Sequence, residues 1–232
     1  MATKPIVLYG LDGSQPCRTV SWLLRIKKVD FEYVHKMPPK DTQAKEFLQL
    51  NPWGTIPVLQ HGEGFTLSES AAIITYLAEE LGWTDLYPNN KQTRGKIQQW
   101  MHWHHRNSRE FSLIAFAPLI RADLKISPEK VAAGQSMLKK VAQGLDEALA
   151  KSLYLVGDSP TLADFCVFAD LGQCHQSEMD LFNFAPYANL DKWMLQMKAQ
   201  PFYEETHAVL PMLKQMADKA KAKRAAATKA KL

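Results

Sequence analysis

The chain has 232 residues, of which 46% are hydrophobic and 22% charged, a composition that fits one large globular domain or two small ones. Its formal charge of +4 is local: seven of 28 basic residues fall between Lys214 and Lys231 against one acid, Asp218, which leaves 21 basic and 23 acidic residues in the body. A body without a basic stripe speaks against nucleic acid as a partner, and no apolar run approaches the length of a membrane span.

Ile6-Val7-Leu8-Tyr9 reads as a buried strand. It leads through a short loop into Ser14-Gln15-Pro16-Cys17-Arg18, where Pro16 suits a first helical turn. The N–H groups and the Ser14 hydroxyl at this helix start favour an anion. Val20, Leu23 and Leu24 recur at helical spacing, and Phe31 to His35 alternates as a second strand. Ala44 to Leu50 predicts a short helix that ends at Asn51-Pro52. Pro57 to Gln60 and Phe65 to Leu67 predict two strands joined by His61-Gly62-Glu63-Gly64, and Ala71 to Leu81 a helix stopped by Gly82. The order is β-α-β-α-β-β-α, with a mixed sheet.

A connector follows at Leu86 to Asn90, and beyond it the pattern is helical. Ile97, Trp100, Met101, His104 and Ser108 share one face of a long predicted helix, and Leu138, Val141, Leu145 and Leu149 share another. Thr161 and Asp164 read as a capping box with Asp in place of Glu. Lys192 to Ala199 predicts a further helix, and Pro201 the start of the next. The domains are expected at 1–84, a linker at 85–92, an all-helical domain at 93–216 and a frayed or disordered Ala/Lys tail at 217–232.

This α+β arrangement resembles the cytosolic glutathione transferases, in which a thioredoxin-like domain precedes an all-α domain. Three segments carry the resemblance: Leu8-Tyr9 with Ser14-Gln15-Pro16-Cys17-Arg18, similar to the serine loop of theta-like classes; Asn51 to Leu59, similar to the segment holding the family's cis-proline; and Leu67 to Ile73, similar to its acid-serine pair. Thr161 to Asp164 adds the capping box of the helical domain.

The resemblance implies an enzyme that joins the glutathione thiolate to apolar electrophiles, with glutathione as co-substrate, no other cofactor and no metal. Ser14 would donate to the sulfur. Lys40, Gln43, Thr55, Ile56, Pro57, Glu69, Ser70 and Arg109 would contact glutathione, with a cis bond before Pro57. Leu11, Trp103 and Phe111 would line the second-substrate pocket between the domains. Trp53 and Thr55 stand where some members carry lysine, which weakens the expected contacts to the glycine end. A homodimer is implied, without nucleic-acid or membrane partners.

Alternatives stay open beside it. Ser14 alone would be read as a helix cap, Tyr9 is a rival donor to sulfur, and Cys17 would suit a thiol-disulfide enzyme. The fold could also serve as a binding module without turnover. His102 and His105 are one turn apart but have no acid or cysteine partner nearby in the sequence, which makes a poor metal site. Three cysteines cannot all pair, and their low number argues for reduced thiols in a reducing compartment; the N-terminus lacks a signal-peptide pattern, and the resemblance implies a cytoplasmic location. The final Ala230-Lys231-Leu232 resembles a peroxisomal address, the alternative location.

Overall fold

In the computed structural model, residues 5–111, 114, 116 and 127–229 are described. The first half is β1 (Ile6–Gly10), α1 (Gln15–Ile26), β2 (Glu32–His35), α2 (Lys45–Leu50), β3 (Val58–His61), β4 (Thr66–Ser68) and α3 (Ser70–Glu80). The sheet order is β2-β1-β3-β4. β1 pairs in parallel with β2, as Leu8 opposite Tyr33, and antiparallel with β3, as Leu8 opposite Leu59. β3 and β4 are antiparallel. The order β-α-β-α-β-β-α and the mixed sheet are those the sequence pattern predicts.

Residue alternation on β1 decides which layer covers each face. Ile6 and Leu8 join one core with Val20 and Leu24 of α1 and Ile73 and Leu77 of α3. Tyr9 points the other way, its ring edge-on to Phe47 of α2, and its hydroxyl donates to Gln60 Oε1 at 3.0 Å.

The second half contains α4 (Lys91–Trp103), a 3₁₀ turn at His104–Arg106, α5 (Ser108–Phe111), α6 (Pro128–Leu149), α7 (Leu162–Leu171), a 3₁₀ turn at Gly172–Cys174, α8 (Ala188–Lys198), α9 (Tyr203–His207) and α10 (Leu210–Lys229). Three details depart from the sequence reading. The single long helix predicted through Ser108 is broken at Asn107, whose φ and ψ are −128° and −93°. Its side-chain Nδ2 donates to the Trp103 carbonyl at 2.7 Å, and such a side chain competes with the helical ladder. The helix expected at Pro201 begins instead at Tyr203, after Phe202 in the left-handed region at φ 61°. The backbone stays helical past Ala217 to Lys229, where a frayed tail is predicted; Ala and Lys are strong helix formers, and propensity decides where little is buried.

The two halves share one core. Trp22 of α1 packs edge-on to Phe165 of α7 at 4.8 Å between centroids, and its indole N–H donates to the Pro201 carbonyl at 2.7 Å. Every residue of α7 is buried. Its N-terminus is fixed by the capping box: Asp164 Oδ2 accepts from the Thr161 N–H at 2.8 Å and the Thr161 hydroxyl at 2.9 Å. The linker is packed rather than loose, for Leu86 and Tyr87 are buried. Among the described residues, no helix is long and apolar enough to cross a membrane.

Candidate functional site

Two helix beginnings, those of α1 and α3, and the segment 51–57 meet at the domain boundary. The loop from Leu11 to Ser14 is held from below by Arg18, only 1% exposed. Arg18 donates to the Asp12 carbonyl at 2.8 Å and to Gln173 Oε1 at 3.0 Å. Ser14 then starts α1 in an extended conformation, at φ −88° and ψ 120°, and its hydroxyl forms no capping bond. The Ser14 hydroxyl stands beside the Cys17 thiol. Cys17 is fully buried, and burial pushes its thiol up to about 11 against the help of Ser14.

The second component is the segment 51–57. Asn51, 2% exposed, donates from Nδ2 to the Thr55 carbonyl at 2.9 Å and to Thr55 Oγ1 at 3.0 Å. It also accepts from the Trp53 N–H at 3.2 Å. These bonds draw the segment into a tight loop ahead of a cis peptide between Ile56 and Pro57. A second cis peptide, Pro38-Pro39, has no counterpart in the sequence reading.

The third component is the start of α3. Glu69 has φ 70° and ψ 112°, a region in which a non-glycine residue costs about 1–3 kcal/mol and which recurs at functional sites. It leaves Glu69 exposed and Ser70 buried at the helix N-terminus.

Between these elements and the helical domain lies a cavity of about 210 Å³. Thr55, Ile56, Pro57, Glu69, Ser70 and Arg109, all expected from the sequence, line it. Pro16 and Thr19 of α1 line it as well, although Ser14 itself does not. Lys40 and Gln43 are exposed and lie outside the lining, with Gln43 packed against Gly54. Leu11 is half-buried and Trp103 packs edge-on to Trp100 at 5.1 Å; neither is in the lining. The Phe111 side chain and Ala230-Lys231-Leu232 lie outside the described residues.

The helical wall of the cavity is largely polar: beside Arg109, which is expected from the sequence, it consists of His104, His105, Cys166, Ala169 and Asp170, which the sequence reading does not name as site residues. Asp170, 2% exposed, organises it. Its Oδ2 accepts from His104 Nδ1–H at 3.0 Å and from the Ser108 hydroxyl at 3.1 Å, and its Oδ1 faces Arg109 Nη1 at 3.4 Å. Burial opposes a charge on His104, but Cys166 and Asp170 outweigh it and raise its pKa from 6.5 to about 10. The same Arg109 nitrogen, Nη1, donates to Gln15 Oε1 at 3.1 Å. The available signal was spacing: His104 and Ser108, like Cys166 and Asp170, are four residues apart. Which two faces meet is a tertiary fact. Among the described residues, no three His, Cys, Asp or Glu side chains gather as a metal ion would need.

Comparison with known proteins matches this geometry to a family. The model of the glutathione S-transferase N-terminal domain matches residues 8–82, and that of the glutathione S-transferase C-terminal domain matches residues 111–201. Glutathione S-transferase T3 of Arabidopsis thaliana is 27% identical over 221 residues, 88% of this chain. The chain spans only 36% of the length of that curated relative. A delta-class glutathione transferase of Nilaparvata lugens is 29% identical with a TM-score of 0.81, covering 93% of this chain and 100% of its own. An epsilon-class glutathione S-transferase from the housefly, Musca domestica, is 26% identical with a TM-score of 0.79, covering 94% and 98%. With its two halves matched in order by the two domain models of one family, the chain belongs to the glutathione S-transferase family.

Proposed function

We propose that this protein is a glutathione transferase that stabilises the glutathione thiolate with the Ser14 hydroxyl and delivers it to an electrophilic carbon. The observation that carries this reading is the cavity that joins Ile56-Pro57, Glu69-Ser70 and Arg109 at the domain boundary. Each part suits one part of an acidic tripeptide. The Ile56 backbone pairs with the peptide. The Ser70 N–H and hydroxyl, at the start of α3, hold the γ-glutamyl carboxylate, and Glu69 accepts the α-ammonium. Lys40, Gln43 and Thr55 attend the glycine end, and Arg109 supplies charge from the opposite wall.

Ser14 acts on sulfur. A free thiol has a pKa near ~8.5, and lowering it by two units takes about 2.7 kcal/mol of preferential thiolate stabilisation. One hydrogen bond to a charged group supplies about 1.5–3 kcal/mol, so a hydroxyl at a helix N-terminus suffices without a general base. That the hydroxyl makes no capping bond supports this use. Tyr9 is less suited, with its hydroxyl given to Gln60, and so is Cys17, buried and held protonated.

Within the family we infer a serine-type, theta-like member acting on apolar electrophiles near Leu11, Trp103 and Phe111. We also infer a homodimer, supported by an exposed Trp53 at 80% on the thioredoxin-like half, and a reducing cytosolic location, supported by three free cysteines. Capture on immobilised glutathione, followed by turnover of alkyl and aryl halides, tests the activity. A protein that is retained but turns over none of them is a binding module instead.

A further inference from the structure

One face of α7 carries chemistry that thiolate transfer leaves unused. Cys166 Sγ lies 3.7 Å from His104 Nε2, within reach of a thiol–imidazole hydrogen bond. On the far side of the ring, His104 Nδ1–H donates to Asp170 Oδ2 at 3.0 Å. Ser108 and Arg109 fix that carboxylate in turn. A thiol, an imidazole and an orienting carboxylate in sequence are the parts of an activated nucleophile. All three line the cavity between the domains, although each is at most 5% exposed.

The other two cysteines have none of this. Cys17 and Cys174 are fully buried and lie outside the lining. The polar side chain beside Cys17 is the Ser14 hydroxyl, and burial pushes the thiol up to about 11. Cys174 donates to the Asp170 carbonyl at 3.7 Å, and burial pushes it higher still.

We propose that Cys166 is a second reactive thiol, activated by His104 and Asp170, that captures soft carbon electrophiles of the α,β-unsaturated carbonyl class entering the cavity. In the thiolate–imidazolium form of the pair, with the proton held on His104 Nε2, the Cys166 sulfur forms a bond to the β-carbon. The π pair of the carbon–carbon double bond moves to give an enolate, with Arg109 at hand for its oxygen. The α-carbon then takes the proton back from His104. The net change is addition of S–H across the double bond, with no oxidant or reductant. This capture needs no glutathione, so it stands or falls separately from the transferase reading.

The test is brief exposure of the whole protein to one equivalent of N-ethylmaleimide at neutral pH without glutathione, with the labelled cysteines mapped by mass spectrometry. Cys166 is expected to be labelled at least tenfold faster than Cys17 and Cys174. First labelling at either of those, or equal labelling of all three, or none, overturns the proposal. In His104→Gln the Cys166 rate is expected to fall at least tenfold. Asp170→Asn, which keeps the shape of its side chain, is expected to slow it as well. An unchanged rate in a folded His104→Gln protein overturns the role of the imidazole, and the ranking of the three thiols in the wild-type protein decides the rest even if the variants fail to fold.

Discussion

Arg109 of the helical half donates through Nη1 to Gln15 Oε1 of α1 at 3.1 Å, and so ties together the two walls of the cavity. The same nitrogen faces Asp170 Oδ1 at 3.4 Å. A planar guanidinium holds this one nitrogen rigidly between its two acceptors, whereas an ammonium is a point charge on a flexible stem. Arg109→Lys is therefore expected to weaken glutathione binding about tenfold, equal to about 1.4 kcal/mol. Isothermal titration against glutathione measures it; wild-type affinity in the lysine variant removes Arg109 from the site.

Gly54 lies in the loop before the cis-proline, at φ +61°. A Cβ there would stand 2.4 Å from Gln43 Nε2 and 2.9 Å from the Thr42 carbonyl oxygen. Gln43 can swing away, but the backbone oxygen and the left-handed conformation cannot be relieved so easily. Gly54→Ala is expected to cost about 1–3 kcal/mol and to lower the melting temperature by several degrees, with weaker glutathione binding through Thr55 and Ile56. A thermal melt matching wild type contradicts this.

Asp164 is buried and holds four donors: the N–H groups of Leu155 and Thr161, the Thr161 hydroxyl and Trp193 Nε1–H, all within 2.8–2.9 Å. Burial raises its pKa even so. Asp164→Ala strands buried donors at about 1–3 kcal/mol each, and is expected to destabilise by at least 3 kcal/mol. Urea denaturation gives the value, and a loss below 1 kcal/mol would be incompatible with the capping role.

Much of the fold was legible because local rules and tertiary packing agree. Gly82, Asn51-Pro52 and the Thr161–Asp164 box each end or start an element where the sequence puts it. The break at Asn107 was not legible, since only the bond from its side chain to the Trp103 carbonyl separates it from a helical asparagine. Five of the seven described cavity residues on the thioredoxin-like side sit within contiguous motifs, Thr55 to Pro57 and Glu69-Ser70, and are named by the resemblance those motifs carry; Pro16 and Thr19 of α1 are not. The opposite wall is assembled from α5, α7 and the turn between α4 and α5. His104 and Asp170 are 66 residues apart, and nothing local announces that they meet.

His207 gives the protein an acid sensitivity. Burial, followed by the nearby Arg18 charge, lowers its pKa from 6.5 to about 3. The folded chain thus keeps the ring neutral where the unfolded chain takes up a proton. Stability from this group is complete above pH 6.5 and is lost as pH falls toward 3, by up to about 1.4 kcal/mol per pH unit. His207→Phe keeps a ring against Tyr203, which His207 stacks on at 4.3 Å, but cannot titrate. Urea midpoints at pH 7 and pH 5 are expected to fall further in wild type than in this variant; parallel falls would contradict the assignment.

The central claim is that Ser14 sets the acidity of bound glutathione. Ultraviolet titration of the thiolate in the enzyme–glutathione complex, for wild type and Ser14→Ala, tests it most directly. The account predicts a thiol pKa about two units below that of free glutathione in wild type, restored toward the free value in the variant, with turnover reduced and glutathione affinity little changed. The same bound-thiol pKa in both proteins would contradict it.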